Sequence, residues 1–113
     1  MGYLGLSCIC DTDVGADFVA SLADVIEPKL RRHMKVKENA YNTDGIINVG
    51  LFLEEIVGTY LFGSMDEFIL EEFVPAFEQF IKESDNKEWE TSKNKQFHIN
   101  AYKRMLKNIK RNL

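Results

Sequence analysis

Apolar residues return at intervals of three and four along most of this chain, the period of helices that each bury one side. In residues 13–27, Phe18, Leu22 and Val25–Ile26 fall at that spacing, with Val14 and Ala16 ahead of them. Pro28 then predicts a break or the first turn of a new segment. The basic stretch Lys29 to Lys37 reads as a helix with few apolar positions, and Asn42-Thr43-Asp44-Gly45 reads as a turn. Residues 46–62 are apolar nearly all round, with Glu54 and Glu55 as the solvent side, which predicts a central helix in which Gly50 and Gly58 allow close approach. Gly63 suits the position just past a helix end, and Ser64-x-x-Glu67 has the form of a capping box. In the next helix Ile69, Phe73, Ala76, Phe77 and Phe80 share a face widened by Leu70, Val74 and Ile81, and Pro75 is expected to kink or split it. Residues 84–90 form a polar acidic connection. Thr91 or Ser92 then caps a last helix reaching about residue 111, with Phe97, Ala101, Tyr102, Met105, Leu106 and Ile109 inward and its lysines outward. The pattern predicts an all-α single domain over residues 1–113: four to five helices around one core, with a short extended arm at residues 2–9.

Composition supports one core. Of 113 residues, 45% are apolar and 28% charged, with eight Phe, four Tyr and one Trp, too hydrophobic for a disordered chain and too short for two cores. No repeat, low-complexity tract or linker divides it. The start lacks a basic leader region and its apolar run meets Asp11, too short for a signal or spanning segment, so a cytoplasmic protein with no membrane association is expected. Met1-Gly2 is weak as a myristoylation signal because Leu6 stands where Ser or Thr is needed. Cys8 and Cys10, two apart, would point to opposite faces of a strand, poor geometry for a disulfide and half of a zinc site at most; they read as small buried apolar groups.

Charge changes the picture more than its total of −4 suggests. Residues 91–113 hold seven bases (Lys93, Lys95, Lys103, Arg104, Lys107, Lys110, Arg111) and no acid, while residues 54–90 hold eleven acids against Lys82 and Lys87. Such a chain is polar along its length. The basic C-terminal helix is expected to pack beside the acidic segment. With the chain acidic overall, direct nucleic-acid binding is disfavoured.

Three opening carboxylates, Asp11, Asp13 and Asp17, invite a metal-site reading, but the spacing lacks the glycine and terminal Glu of a calcium loop. Capping of the first helix explains two of them. Asp17, one turn beyond Asp13, requires a positive neighbour, for which the Gly2 ammonium, Arg31 or Arg32 are candidates. Glu54-Glu55 and Glu71-Glu72 lack the Glu-x-x-His pairing of a di-iron bundle, and His33 and His98 have no nucleophile at a recognisable spacing. No glycine pattern matches a phosphate cradle. No cofactor, no metal and no catalytic residue are therefore expected, and the chain reads as a non-enzyme.

The N-terminal residues also carry a likeness. Met1-Gly2-x-x-Gly5, then Asp11-Thr12-Asp13-x-x-Ala16-Asp17-Phe18 and Leu22, resembles a bacterial domain family of unknown function whose members open Met-Gly-x-Trp-Gly and continue with an Asp-Asn-Asp-x-Ala-x-Asp-Phe-like motif. Leu4 replaces the family's Trp and Thr12 its Asn. The resemblance implies a mostly helical domain with its N-terminus built into the fold, Gly2, Gly5, Asp11, Asp13 and Asp17 being structural, and implies no reaction. Small acidic proteins of this look occur, by analogy, as immunity proteins beside bacterial toxins and as phage inhibitors of defence enzymes.

The expectation is a protein-binding inhibitor: a bacterial immunity protein or antitoxin that covers a basic toxin surface, such as that of a nuclease, with Glu67, Phe68, Glu71, Glu72, Glu78, Glu83, Asp85, Glu88 and Glu90. Phe68, opposite the phenylalanine stripe, would be its partly exposed anchor. The rival classes are a phage inhibitor of a nucleic-acid-targeting defence complex and a small metal-dependent enzyme using the opening aspartates.

Overall fold

The structure, a computed structural model, describes residues 13–37, 40–41 and 43–113, with the backbone alone at 13–16, 36–37 and 40–41. The extended arm expected at residues 2–9, both cysteines and the capping role of Asp11 and Thr12 lie outside the described residues. So do Gly2 and Gly5. The described chain is helical apart from one short ladder. Helix α1 (Asp13–Met34) leads into strands β1 (Lys35–Lys37) and β2 (Ala40–Tyr41), then α2 (Thr43–Glu55) and α3 (Tyr60–Ser64). The next rod comprises α4 (Asp66–Phe68), a π turn (Ile69–Phe73) and α5 (Val74–Asn86), and α6 (Ser92–Arg111) closes the fold.

Pro28 does not end α1 as expected. A proline inside a helix gives up one hydrogen bond, here to the Asp24 carbonyl, and crowds that turn. Burial on both sides of it holds the helix through: Val19, Ala23 and Met34 are buried, and Ile26 and Leu30 pack partly against the core. This stripe is rotated from the expected one, leaving Phe18 and Val25 exposed at 54% and 68%. The basic segment predicted as helical to Lys37 turns at Lys35 into the antiparallel ladder, with Lys35 opposite Tyr41 and Lys37 opposite Ala40.

Thr43, Asp44 and Gly45, expected as a turn, instead form the first turn of α2, where Asp44 is favoured by the helix dipole. Ile46, Val49, Gly50 and Leu53 are buried where α2 packs on α1 and α6. The predicted helix over 46–62 is interrupted at 56–59. Gly58 takes φ +88°, a conformation open to glycine and costly for other residues. Thr59 follows as the cap of α3: its hydroxyl donates to the Ile56 carbonyl at 2.7 Å and accepts from the Phe62 amide at 3.3 Å. Gly63 and Ser64 are therefore inside α3, and no capping box forms; Met65 stands between α3 and α4 without a side-chain cap.

At Pro75 the regular α-helix is interrupted, as expected of a helix-breaking residue, and α5 begins with the proline in its first turn directly after the π turn. The proline's missing amide and its ring would conflict with the carbonyl four residues back, and the backbone answers by widening the preceding turn. The Val74 amide donates to the Ile69 carbonyl, five residues back, while Phe73 and Val74 keep helical dihedrals. Phe73, Phe77 and Phe80 then line the core, with Phe73 and Phe77 stacked at 5.2 Å and Tyr102 of α6 closing on Phe77 and Phe80 at 6.2 and 5.0 Å. Burial raises the Tyr102 phenol above its ordinary pKa. The connection into α6 is pinned by Trp89, whose indole donates to the Ser84 carbonyl at 2.7 Å and whose ring stacks on His98. Thr91, one of the two expected caps, accepts from the Asn94 amide at 3.0 Å. Phe97, expected inward, is 69% exposed, and Ile99 is buried instead.

Two glycines should respond to alanine with opposite signs. A Cβ at Gly50 would press on the Met105 sulfur and lie 3.3 Å from Phe73, so Gly50→Ala is expected to lose about 1–2 kcal/mol despite its better helix propensity. Nothing lies within 4 Å of a Cβ at Gly63, so Gly63→Ala is expected to gain about 0.5–1 kcal/mol. Urea unfolding followed by circular dichroism reads both.

Candidate functional site

The first turns of the rod and the middle of α1 lie side by side, and both are rich in acids. Asp24, Glu27 and Arg31 from α1, with Ser64, Asp66, Glu67, Phe68, Glu71 and Glu72, line a groove of about 390 Å³. Six carboxylates thus meet one guanidinium. On the other side of the same ridge, Asp66, Glu67 and Glu71 border a second depression of about 350 Å³ with Leu70 and Leu113. Leu70 is 58% exposed and Leu113 44% exposed.

The π turn decides which side chains face which way. On a regular α-helix, residues five apart are turned from each other by about 140°; the wider turn brings Phe68 round toward the face of Phe73. Phe68 is consequently buried at 3% exposure and cannot be the exposed anchor expected of it. The Arg31 guanidinium carbon lies 5.5 Å from the Phe68 ring centroid. The same guanidinium forks onto Glu72, Nε donating to Oε1 at 2.5 Å and Nη2 to Oε2 at 2.6 Å. Arg31 therefore belongs to Glu72 and not to Asp17, which is exposed; Asp13's side chain lies outside the described residues.

The hydrogen bonds from Arg31 hold the Glu72 carboxyl below its ordinary value, with attraction to Arg31 and Lys35 adding to them against the cost of burial. Arg31 is raised correspondingly, chiefly by its hydrogen bond to Glu72. Glu27 moves the other way: burial raises it most, and Asp24, Glu72 and Glu67 raise it further against the pull of Arg31. The two shifts mark where negative charge is compensated and where it is crowded.

The other expected partner-binding acids disperse. Glu78 meets Lys110 at 3.3 Å and Asp85 meets Lys95 at 3.4 Å, pairs that tie the rod to α6. Glu83 accepts from Gln79 at 3.0 Å, and Glu88 and Glu90 stand exposed in the connection to α6. Of the expected set, Glu67 and Glu71 lie together at the groove, exposed and without an ion pair among the described residues. Asp24, Glu27, Asp66 and Leu70 join them and were not foreseen. The i, i+3 spacing of Asp24 and Glu27 on α1 was a legible sign; that it faces the rod was not.

Among the described residues no three His, Cys, Asp or Glu converge as metal ligands. No described helix is long and apolar enough to cross a membrane. Comparison of the chain with protein-family models, curated proteins and solved structures gave no match.

Because Glu72 titrates below its ordinary value of 4.5 in the fold, its pairing stabilises above that pH and is lost as pH falls through the lowered value. Glu72→Gln is expected to cost on the order of 1 kcal/mol at neutral pH, the upper end for a solvent-screened pair, and little in acid. Glu27→Gln should have the opposite sign, because the raised carboxyl contributes only below its ordinary value and is a burden once ionised. Chemical denaturation at several pH values checks both directions.

Proposed function

We propose that this chain is a non-enzymatic inhibitor of a basic protein, an immunity protein or antitoxin that lays its acidic ridge over the substrate surface of a toxin such as a nuclease. The observation that carries the reading is the ridge itself, where Asp66, Glu67 and Glu71 stand between two depressions without an ion pair among the described residues, the one guanidinium of the groove, Arg31, being taken by Glu72. A surface built to hold phosphates offers Lys and Arg side chains at several points, and separated carboxylates match it better than one focused site would.

An apolar anchor strengthens such an interface when it is ringed by polar contacts that exclude water. Leu70 takes the place first expected for Phe68, exposed between Glu67 and Glu71 and beside Leu113. The Arg31–Glu72 fork keeps the two walls of the groove in register, so its acids are presented from a rigid frame. The likeness of residues 1–22 to a bacterial domain family is part of the same proposal and fits a small bacterial binding protein.

The test is to capture the partner from the producing cell, identify it, and measure the purified pair by calorimetry at two salt concentrations. Glu67→Lys/Glu71→Lys is expected to weaken binding more than tenfold and flatten its salt dependence, and Leu70→Ala to weaken it severalfold with the salt dependence kept. Glu78→Gln should leave affinity unchanged. Undiminished affinity with the same salt dependence in the double reversal, or a partner whose contact surface is acidic, refutes the reading.

A further inference from the structure

The side of α6 turned away from the core carries Lys93, Phe97, Asn100, Arg104, Lys107 and Arg111 at successive spacings of four and three residues, all exposed. They form one straight stripe about 27 Å long at the rise of an α-helix. The opposite side of α6 is occupied by the core through Ile99, Met105, Leu106 and Ile109.

The charge on the stripe is available. Lys110 and Lys95, on the flanks, are paired with Glu78 and Asp85, but Lys93, Arg104 and Lys107 make no ion pair among the described residues. Arg104, Lys107, Asn108 and Arg111 line a groove of about 380 Å³ with a single carboxylate, Glu54. Asn108 donates to that carboxylate at 3.1 Å, and Arg111 donates to Asn108 at 3.1 Å. The acidic ridge is on other elements and meets the C-terminal end of the chain at Leu113, two residues past Arg111; Lys93 to Arg104 lie nine or more residues back along the chain, and at moderate salt fields are screened beyond roughly 10 Å. Local charge therefore governs what the stripe attracts, and the acidity of the whole chain is a poor guide to it.

Phe97 stands in this basic row, 69% exposed, touching His98 edge to face at 5.3 Å. Its neighbours along the stripe are Lys93 on one side and Asn100 on the other, with Arg104 one turn further, so the exposed ring lies within a row of hydrogen-bonding and cationic groups. Cations spaced along a backbone with an aromatic ring among them are the means by which proteins hold single-stranded nucleic acid: phosphates meet Lys and Arg, and a base stacks on the ring. A duplex keeps its base faces stacked internally and has none to offer Phe97. A membrane surface would require an apolar helix face, and that of α6 is spent in the core.

We propose that the outer stripe of α6 binds single-stranded nucleic acid, with Lys93, Arg104, Lys107 and Arg111 on the phosphates and Phe97 under a base. This site is on a different element from the acidic ridge, which it approaches only past Arg111 at Leu113, and the proposal does not depend on the ridge's function.

The test is fluorescence anisotropy of a labelled oligothymidylate titrated with the full chain. Four phosphate contacts predict a log–log salt slope of about −3. Phe97→Ala is expected to weaken binding about tenfold with the slope kept, and Arg104→Gln/Lys107→Gln to roughly halve the slope. All three positions are exposed, so the variants should melt with the parent, which a circular dichroism scan verifies. Absence of binding at about 50 mM salt overturns the proposal. So does equal affinity in all variants, or a duplex bound as tightly with Phe97→Ala silent. Capture by anionic lipid vesicles that the oligonucleotide cannot displace would likewise reject it in favour of a membrane surface.

Discussion

A proline without an amide hydrogen, set about two and a half turns into the rod, forces the local geometry on which the packing of this fold depends. The π turn at Ile69–Phe73 relieves the conflict at Pro75 by passing the hydrogen bond from Val74 to Ile69. One extra residue in a turn rotates everything before it relative to everything after it. Downstream, Phe73, Phe77 and Phe80 line the core; upstream, Phe68 joins the same core, and within the turn Leu70 is exposed. Without that rotation Phe68 would face solvent.

The Arg31–Glu72 fork depends on the same turn, since Glu72 is inside it. The pair joins α1, just past Pro28, to the rod at the point where each helix departs from regular hydrogen bonding. A planar guanidinium that meets a carboxylate through two hydrogen bonds and covers an aromatic ring tolerates little displacement. It fixes the separation of the two acidic walls more than it adds to total stability, because both side chains are partly open to water.

Charge is sorted by element. The rod and the middle of α1 hold the crowded carboxylates and α6 holds most of the bases; among the described residues the rod and α6 exchange opposite charges at Lys110 with Glu78 and Lys95 with Asp85, while the neutral Asn108 donates to Glu54 of α2. These contacts consume part of the acidic run that the chain displays in one dimension. What remains is a short ridge around Leu70 on one side and a basic stripe around Phe97 on another, each pairing an exposed apolar group with one sign of charge. Charged patches of one sign attract ligands of the other, and the two proposed interactions rest on that complementarity.

The sequence by itself determined the all-α fold, the acidic middle and basic C-terminal segment, the last helix with its cap narrowed to Thr91 or Ser92, and the phenylalanine core, because these follow from local periodicity, capping chemistry and composition. It also showed where helix geometry would be troubled, at Pro28 and Pro75. Only the tertiary structure decided the outcome there: α1 runs through its proline because Leu30 and Met34 are held in the core, and the rod absorbs its own by widening. A wheel drawn at 3.6 residues per turn cannot register an inserted residue, so Phe68 and Leu70 exchanged places between expectation and fold. Which acids stay free was likewise undecidable along the chain, since Arg31 and Glu72 are 41 residues apart and only packing brings opposite charges within reach.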